Sequence, residues 1–264
     1  MHARSALFDL YGDHLLDRGA WAPISATISL MGSLGVSAPA VRTAVSRMVR
    51  EGWLAPQEKE SRGYAATPAG EHRLRSAHAR IYRTDVRPWN GRWHLIALPR
   101  VPDRSARDRV ARSLGYLGYG RLAADTWVAP RESPELDDAL AAALGGPPGP
   151  ALRPASFRAT YDGSAWQLAR RVWDTQGLAA AYRSFAANAS ADGLPTDPEQ
   201  AFVTRTLLVH EWRKFLFTDP GLPDEVVPAD WPGRAAAAVF DERQARLKPL
   251  ASAWVDEVLT RAQV

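Results

Sequence analysis

The sequence contains the run Ser37-Ala-Pro-Ala-Val-Arg-Thr-Ala-Val-Ser-Arg-Met-Val-Arg-Glu-Gly-Trp-Leu54. Its apolar residues recur at the spacing of a single helix face, and they are Val41, Ala44, Val45, Met48 and Val49. Ser37 can cap such a helix, Pro39 suits its first turn, and Gly52 ends it. The run therefore predicts an amphipathic helix that stops just before Trp53.

The face opposite the apolar stripe is basic and rich in hydroxyl groups. We call it the basic face, and it consists of Arg42, Thr43, Ser46, Arg47 and Arg50. Arginine offers paired donors to guanine edges, and arginine, serine and threonine donate to phosphate oxygens. On its own, this pattern also fits an ordinary surface helix with a solvated basic side. The flanking segments favour DNA binding.

Those flanking segments complete the pattern of a winged helix-turn-helix. Residues 23–34 predict a preceding helix, and only Gly35-Val36-Ser37 separates the two helices. Residues 54–67 predict two short strands around a charged tip. A further helix is predicted at residues 4–16, and a linker helix is predicted from Pro68 to about residue 84. DNA binding is therefore the function that this part of the chain predicts.

The composition narrows the class of protein. A chain of 264 residues predicts two domains or three small ones. Cysteine is absent, which excludes disulfides and cysteine-based metal sites and indicates a reducing compartment. No stretch approaches the roughly 20 apolar residues of a membrane span, and the first residues lack the apolar core of a signal peptide. We therefore expect a cytoplasmic protein with no membrane partner.

The net charge of +4 is concentrated near the N-terminus. Lys and Arg number 12 against 8 Asp and Glu in residues 1–90, and 8 against 7 in residues 91–150. In residues 151–264 the balance reverses to 13 against 14. This distribution is typical of a nucleic-acid-binding module joined to neutral partner domains.

The rest of the chain divides into two patterns. Residues 89–162 alternate strand, helix, strand, helix and strand, which predicts a ferredoxin-like α/β sandwich. From residue 163 onward the pattern is helical. We therefore predict an α+β multidomain chain with a winged helix-turn-helix and linker helix at 1–88, the sandwich at 89–162, and a helical C-terminal domain at 163–264.

Catalytic motifs are incomplete throughout the sequence. Gly118-Tyr-Gly-Arg-Leu-Ala123 fits a dinucleotide-binding string, but it follows a predicted helix and enters a predicted strand, which is the reverse order. His210-Glu211 begins like a zinc-protease helix, but Lys214 stands where the second ligand would be. The six histidines are scattered. We therefore expect no enzyme, no catalytic residue, no metal site and no cofactor.

The C-terminal half is rich in aromatic residues, and two explanations stay open. These residues are Trp166, Trp173, Tyr182, Phe185, Phe202, Trp212, Phe215, Phe217, Trp231 and Trp254. They fit the core of a helical bundle, and they also fit a pocket for an aromatic or acyl ligand. In the second case Trp212, Arg213 and Lys214 are the candidate ligand-binding residues, because the two cations could meet a phosphate or carboxylate.

Three segments of the chain resemble the PaaX family, which are repressors of phenylacetate-degradation operons. The segments are residues 4–15, residues 37–50, and residues 213–223 together with Trp231-Pro-Gly233. The resemblance runs nearly end to end, and it implies the same three-domain architecture. It also implies a homodimer that binds an inverted-repeat operator in double-stranded DNA and leaves it when phenylacetyl-coenzyme A, or a related acyl-CoA effector, binds.

The resemblance assigns roles to individual residues only in the N-terminal segment. It makes the basic face the DNA-contacting set, and it adds Lys59, Arg62 and Tyr64 as candidates in the wing. No family motif marks the effector site, so the three candidates at 212–214 rest on their chemistry alone.

Two alternatives to this function remain. One is a regulator of the same architecture that responds to a different acyl-CoA or aromatic metabolite, or that activates transcription. The other is a metal-dependent nuclease, because the central domain also resembles the small ferredoxin-like nuclease subunit of CRISPR adaptation complexes. Those nucleases carry a metal-binding aspartate at the end of their first strand. The corresponding stretch here, Ala97-Leu-Pro-Arg100, has no carboxylate, which disfavours a nuclease.

Overall fold

The chain forms two compact units, each built from segments that are distant in sequence. The computed structural model describes residues 1–59, 61–83, 88–101, 103–147, 149, 153–191 and 193–262. The first unit comprises residues 1–85, 185–213 and 237–264, and the second comprises residues 86–184 and 214–236. Helices and antiparallel sheets both contribute, which confirms the mixed class. The predicted boundaries of three domains stay a prediction.

The first unit opens with an alternation of helices and short strands. Its elements are α1 (Ala3–Asp9), β1 (Trp21–Pro23), α2 (Ile24–Ser33), α3 (Ala38–Arg50), β2 (Leu54–Glu58), β3 (Arg62–Ala66) and α4 (Pro68–Ile81). A π-helical turn at Leu10–Leu15 and a 3-10 turn at Leu16–Arg18 extend α1. The single α-helix predicted for residues 4–16 is therefore an α-helix only as far as Asp9.

The turn between α2 and α3 follows from two glycines. Both helices end in a left-handed glycine, with φ of +74° at Gly35 and +73° at Gly52. After α3, the amide of Trp53 donates to the carbonyl of Met48 at 2.9 Å, and the amide of Gly52 donates to Val49 at 3.0 Å. These two bonds supply donors to carbonyl groups of the last helical turn, which have no partner within the helix. The predicted stop at Gly52 is confirmed.

The predicted cap of α3 is wrong in one detail. Ser37 stands at the cap position, but its side chain accepts no capping hydrogen bond from any residue that the structure describes. A capping side chain accepts from the second or third amide of the helix, and the second helical residue is Pro39, which has no N–H. One of the two usual donors is therefore missing.

A three-stranded antiparallel sheet follows α3, in the order β1-β3-β2. The hairpin of β2 and β3 was predicted, with Leu54 opposite Ala66 and Glu58 opposite Arg62. Strand β1 was not predicted, because it is three residues long and all three are buried, so no alternation marks it. It pairs with β3 through Trp21 opposite Ala65.

Helices from the C-terminal part of the chain complete the first unit. They are α8 (Thr175–Ala191, of which residues 185–191 belong to this unit), α9 (Pro198–Trp212) and α10 (Pro232–Arg261, from residue 237 in this unit). Phe202 of α9 and Val255 of α10 are fully buried in the same hydrophobic core as Leu10 and Val45. Helix α10 runs unbroken through Pro249.

The second unit contains a four-stranded antiparallel sheet in the order β5-β6-β4-β7. Its elements are β4 (Trp93–Ala97), α5 (Arg104–Tyr116), β5 (Gly120–Ala123), β6 (Thr126–Ala129), α6 (Leu136–Leu144), β7 (Ala155–Ala159) and α7 (Ala165–Val172). Ile96 of β4 packs with Val110 of α5 and Leu140 of α6. Trp93, also on β4, packs with Leu168 of α7. Helices therefore pack on both faces of the sheet.

Across the residues that the structure describes, no helix combines the length and the apolar character that crossing a membrane requires.

Candidate nucleic-acid interface

Helix α3 is held in the first unit by its apolar stripe. Val41 is fully buried, and Val45 and Met48 are each 2% exposed. All five residues of the basic face are exposed on the opposite side. Burial of the stripe therefore determines which side of α3 faces solvent. That these residues contact DNA stays a prediction.

The arginines of the basic face differ in their partners. Arg42 and Arg50 form no hydrogen bond or ion pair with any residue in the described ranges. Arg47 donates from Nε to Glu51 Oε1 at 2.8 Å. Arg4 of α1 donates from Nη2 to the other oxygen of Glu51 at 2.5 Å. On the basic face, the guanidinium groups of Arg42 and Arg50 are therefore without a partner in the described ranges, whereas that of Arg47 is held by Glu51.

The two hydroxyl groups of the basic face are exposed, and each can accept a hydrogen bond. Thr43 Oγ1 donates to the carbonyl oxygen of Pro39 at 3.0 Å, which uses its hydrogen but leaves a lone pair. Ser46 is exposed. Both hydroxyls lie on the same helix face as the arginines, since residues 42, 43, 46, 47 and 50 follow helical spacing.

The wing candidates occupy two kinds of environment. Lys59 and Arg62 are exposed near the turn between β2 and β3, and Lys59 Nζ lies 4.8 Å from the ring centre of Trp21. Tyr64 is partly buried against the hydrophobic core, and its carbonyl accepts a hydrogen bond from the hydroxyl of Tyr11 at 3.0 Å. Tyr64 thus also contributes to packing, while Lys59 and Arg62 are exposed.

The ligand-binding candidates have structural partners. Trp212 is 6% exposed, its Nε1 donates to the carbonyl of Ile81 at 3.0 Å, and its ring stacks on Phe240. Arg213 forms an ion pair with Asp9 in the first unit. Lys214 is exposed and belongs to the second unit. The prediction that these three bind a ligand stays a prediction.

The first unit also contains a buried polar network that the sequence pattern did not predict. Asp13, in the π-helical turn, accepts hydrogen bonds from Arg205 of α9 and from the hydroxyl of Tyr82. Arg205 also donates to the Tyr82 oxygen at 3.0 Å. Helical spacing gave no signal for this network, because on a regular α-helix Asp13 would lie on the side opposite Tyr11 and Leu15.

Burial and charge shift the pKa values in this network. Burial alone would raise the pKa of Asp13, but the neighbouring His14, the charge of Arg205 and the hydrogen bonds together overcome this effect, so that the pKa lies below its usual value. Burial raises the pKa of Tyr82 and lowers that of His14 to about 4. His14 Nε2 lies 2.9 Å from Thr206 Oγ1. At neutral pH the network therefore holds one carboxylate, one guanidinium and a neutral imidazole.

A serine, a histidine and a tyrosine meet in the second unit. His94 lies 2.6 Å from Tyr119 Oη through Nδ1 and 2.6 Å from Ser156 Oγ through Nε2. Hydrolases orient such a histidine with a carboxylate. Here a phenol takes that position, and burial raises its pKa to about 12. The cluster therefore links β4 to β7 and to the turn between α5 and β5.

The described ranges contain no cluster of three or more His, Cys, Asp or Glu side chains that could hold a metal ion. The end of β4 leads into Leu98-Pro99-Arg100, as the sequence indicated, with no carboxylate at that point.

Three family models match this chain along its length. They are the PaaX-like protein at residues 2–67, the PaaX protein central Cas2-like domain at residues 86–148, and the PaaX-like protein C-terminal domain at residues 173–257. The chain belongs to the PaaX family. The predicted family is thereby confirmed, and the central part of this PaaX-family chain is Cas2-like.

Two relatives cover nearly all of the PaaX-family chain. The transcriptional repressor PaaX of Escherichia coli (strain K12) is 29% identical over 265 residues, which span 96% of this chain and 83% of the relative. Among solved structures, the uncharacterized protein Rv0674 from Mycobacterium tuberculosis is similar with a TM-score of 0.65 at 25% identity. That similarity covers 97% of this chain and 98% of the other.

Proposed function

We propose that this PaaX-family protein is a transcriptional repressor that binds double-stranded DNA through a winged helix-turn-helix. Helix α3 is the recognition helix, and β2 and β3 form the wing. The observation that carries this proposal is the basic face of α3, where five donors are exposed while the opposite stripe is buried. Similarity to a transcriptional repressor of Escherichia coli supports it.

The arrangement of the sheets supports the rest of the proposed architecture. Two helices joined by a glycine turn and followed by a hairpin are the parts of a winged helix-turn-helix. The order β5-β6-β4-β7 with two connecting helices fits a ferredoxin-like sandwich. We propose three functional domains at 1–88, 89–162 and 163–264, with the central one mediating a homodimer.

Within such a dimer, two recognition helices read the two halves of an inverted repeat. Half-sites read by paired recognition helices lie about 34 Å apart, or a multiple of that distance. The effector, phenylacetyl-CoA or a related acyl-CoA, releases the operator by binding more tightly to the free protein than to the DNA-bound one. A repressor of this kind acts in the cytoplasm and needs no catalytic residue.

Fluorescence anisotropy tests this function directly. Labelled DNA from upstream of the protein's own gene is titrated with protein, and then with phenylacetyl-CoA or with free phenylacetate. We expect specific binding that the thioester alone reverses. Binding that ignores both compounds would redirect the search to another acyl-CoA or aromatic metabolite. Absence of any specific binding would overturn the DNA-binding proposal.

A single substitution tests the candidate effector residues. Lys214→Ala is the mildest choice, since its side chain is exposed, whereas Trp212 is in the core and Arg213 is paired with Asp9. We expect Lys214→Ala to bind the operator normally but to require more thioester for release. An unchanged thioester requirement would remove Lys214 from the effector site. The exposed Lys248→Ala is the control.

A further inference from the structure

Glu51, at the end of α3, joins two arginines from different helices. One carboxylate oxygen accepts from Arg47 Nε at 2.8 Å and the other accepts from Arg4 Nη2 at 2.5 Å. The bridge therefore connects the basic face of α3 to the start of α1. All three side chains are at least partly exposed.

The position of this carboxylate runs against two local preferences. Glu51 is the C-cap of α3, where the negative end of the helix dipole disfavours an anion. The arginine precedes the glutamate by four residues, which is the less favourable order for such a pair. A carboxylate beside the proposed DNA-binding face also repels phosphates. The helix dipole, the order of the pair and the bulk charge therefore give no reason for an acid here.

The geometry of the bridge does give a reason for a carboxylate at this position. Arg47 is bound through Nε alone, and it makes no other hydrogen bond within the described part of the chain. Its two terminal nitrogens, with four N–H groups, thus remain available. Guanine presents N7 and O6 side by side in the major groove, and an arginine fills both with two parallel donors. Fixing Nε limits the directions in which those donors can point.

We propose that Glu51 is a specificity-determining residue, which positions Arg47 to read one guanine of the operator while Arg4 holds the carboxylate from the opposite side. This inference rests on the proposed DNA binding by α3. The hydrogen bond from Arg47 lowers the pKa of Glu51, and the bond from Arg4 acts in the same direction, so the bridge stays charged at neutral pH. Arg42 and Arg50, without such a bridge, contact phosphates.

Selection from a randomised duplex library tests the proposal, because the protein itself chooses the DNA sequences that it binds. The full-length protein and the variants Arg47→Ala and Glu51→Gln each select DNA, and the enriched sequences are compared position by position. We expect the unaltered protein to enrich a motif with an invariant guanine. Both variants should lose preference at that same position by about tenfold, with the other positions unchanged.

A matched control separates positioning from loss of charge. Glu71 accepts from Arg75 Nε at 2.9 Å on α4, an exposed pair with the same spacing. Glu71→Gln removes one negative charge from the same unit and should leave every position of the motif unchanged. The double variant Arg47→Ala with Glu51→Gln should lose no more preference than Arg47→Ala alone.

The outcomes distinguish the two proposals. If Glu51→Gln enriches the same motif with the same base frequencies, or weakens all positions equally, Glu51 does not set specificity, although DNA binding stands. If the unaltered protein enriches no motif, the proposed function fails and this inference fails with it.

Discussion

Arg205 of α9 and Asp13 of the π-helical turn form an ion pair in the interior of the first unit. Their side chains are 4% and 5% exposed. The pair joins the helix that precedes the proposed DNA-binding segment to a helix nearly two hundred residues further along the chain. The N-terminal and C-terminal segments of this unit are therefore joined by a buried ion pair as well as by a shared hydrophobic core.

Removing one partner of this pair should destabilise the protein strongly. Arg205→Leu leaves the Asp13 carboxylate buried without a counter-charge, and we expect the free energy of unfolding to fall by about 3–5 kcal/mol. Urea denaturation of the full chain measures it. The exposed pair Arg246 and Glu242 provides the control, and Arg246→Leu should change stability by no more than about 1 kcal/mol. Equal losses in both variants would contradict this account.

Acid should weaken the protein because His14 is buried in its neutral form. The pKa of His14 falls from 6.5 to about 4 on folding, mainly through burial. Between those values the unfolded chain binds a proton that the folded chain does not, so stability is complete above pH 6.5 and declines as the pH falls towards 4. The free energy of unfolding should drop by up to about 3 kcal/mol across that window.

The substitution His14→Gln isolates this effect. It should reduce the decline between pH 6.5 and 4, as measured by urea denaturation at a series of pH values, while His78 and His94, whose pKa values burial also lowers, still contribute. The exposed His72→Gln should retain the full decline. A slope that His14→Gln leaves unaltered would assign the acid sensitivity to other groups.

Gly63 is required for the pairing of β1 with β3. A Cβ atom at this position would lie 2.4 Å from the carbonyl oxygen of Ala22 and 2.9 Å from the ring of Trp21. Gly63→Ala should therefore lower the free energy of unfolding by about 1–3 kcal/mol. Gly32→Ala is the control, because Gly32 is helical with no atom within 4 Å of an added Cβ, and alanine there should stabilise by up to about 1 kcal/mol.

Arg42 and Arg50 should contribute to DNA affinity regardless of sequence. If each neutralises one phosphate, Arg42→Ala or Arg50→Ala reduces the slope of log affinity against log salt by about 1. Anisotropy over a salt series measures the slope. The control is Arg75→Ala on α4, which should keep the original slope. A slope that Arg42→Ala and Arg50→Ala leave intact would remove both from the interface.

Arg47 should behave differently from these two. Arg47→Ala should cost about 1–3 kcal/mol of binding free energy on the specific site, and much less on random DNA, if it contacts a base. Comparing the two duplexes in the same anisotropy assay gives the difference. Equal losses on both duplexes would place Arg47 with the phosphate contacts, and an unchanged affinity would remove it from the interface.

Local sequence patterns predicted most of the secondary structure, with errors where tertiary contacts intervene. The π-helical turn around Asp13 and the strand β1 were missed, since one is stabilised by Arg205 and the other by pairing with β3. The absent capping bond of Ser37 could have been foreseen from Pro39, which removes a donor.

The sequence alone determined most of the helices, the glycine turns that end α2 and α3, and the side of α3 that is exposed, because each depends on residues within a few positions of one another. It also carried the family resemblance. Only the tertiary structure decided that α9 and part of α10 pack with the first 85 residues, and that Glu51 joins Arg47 to Arg4. Those relationships depend on the close approach of residues far apart in the chain, which no local periodicity encodes.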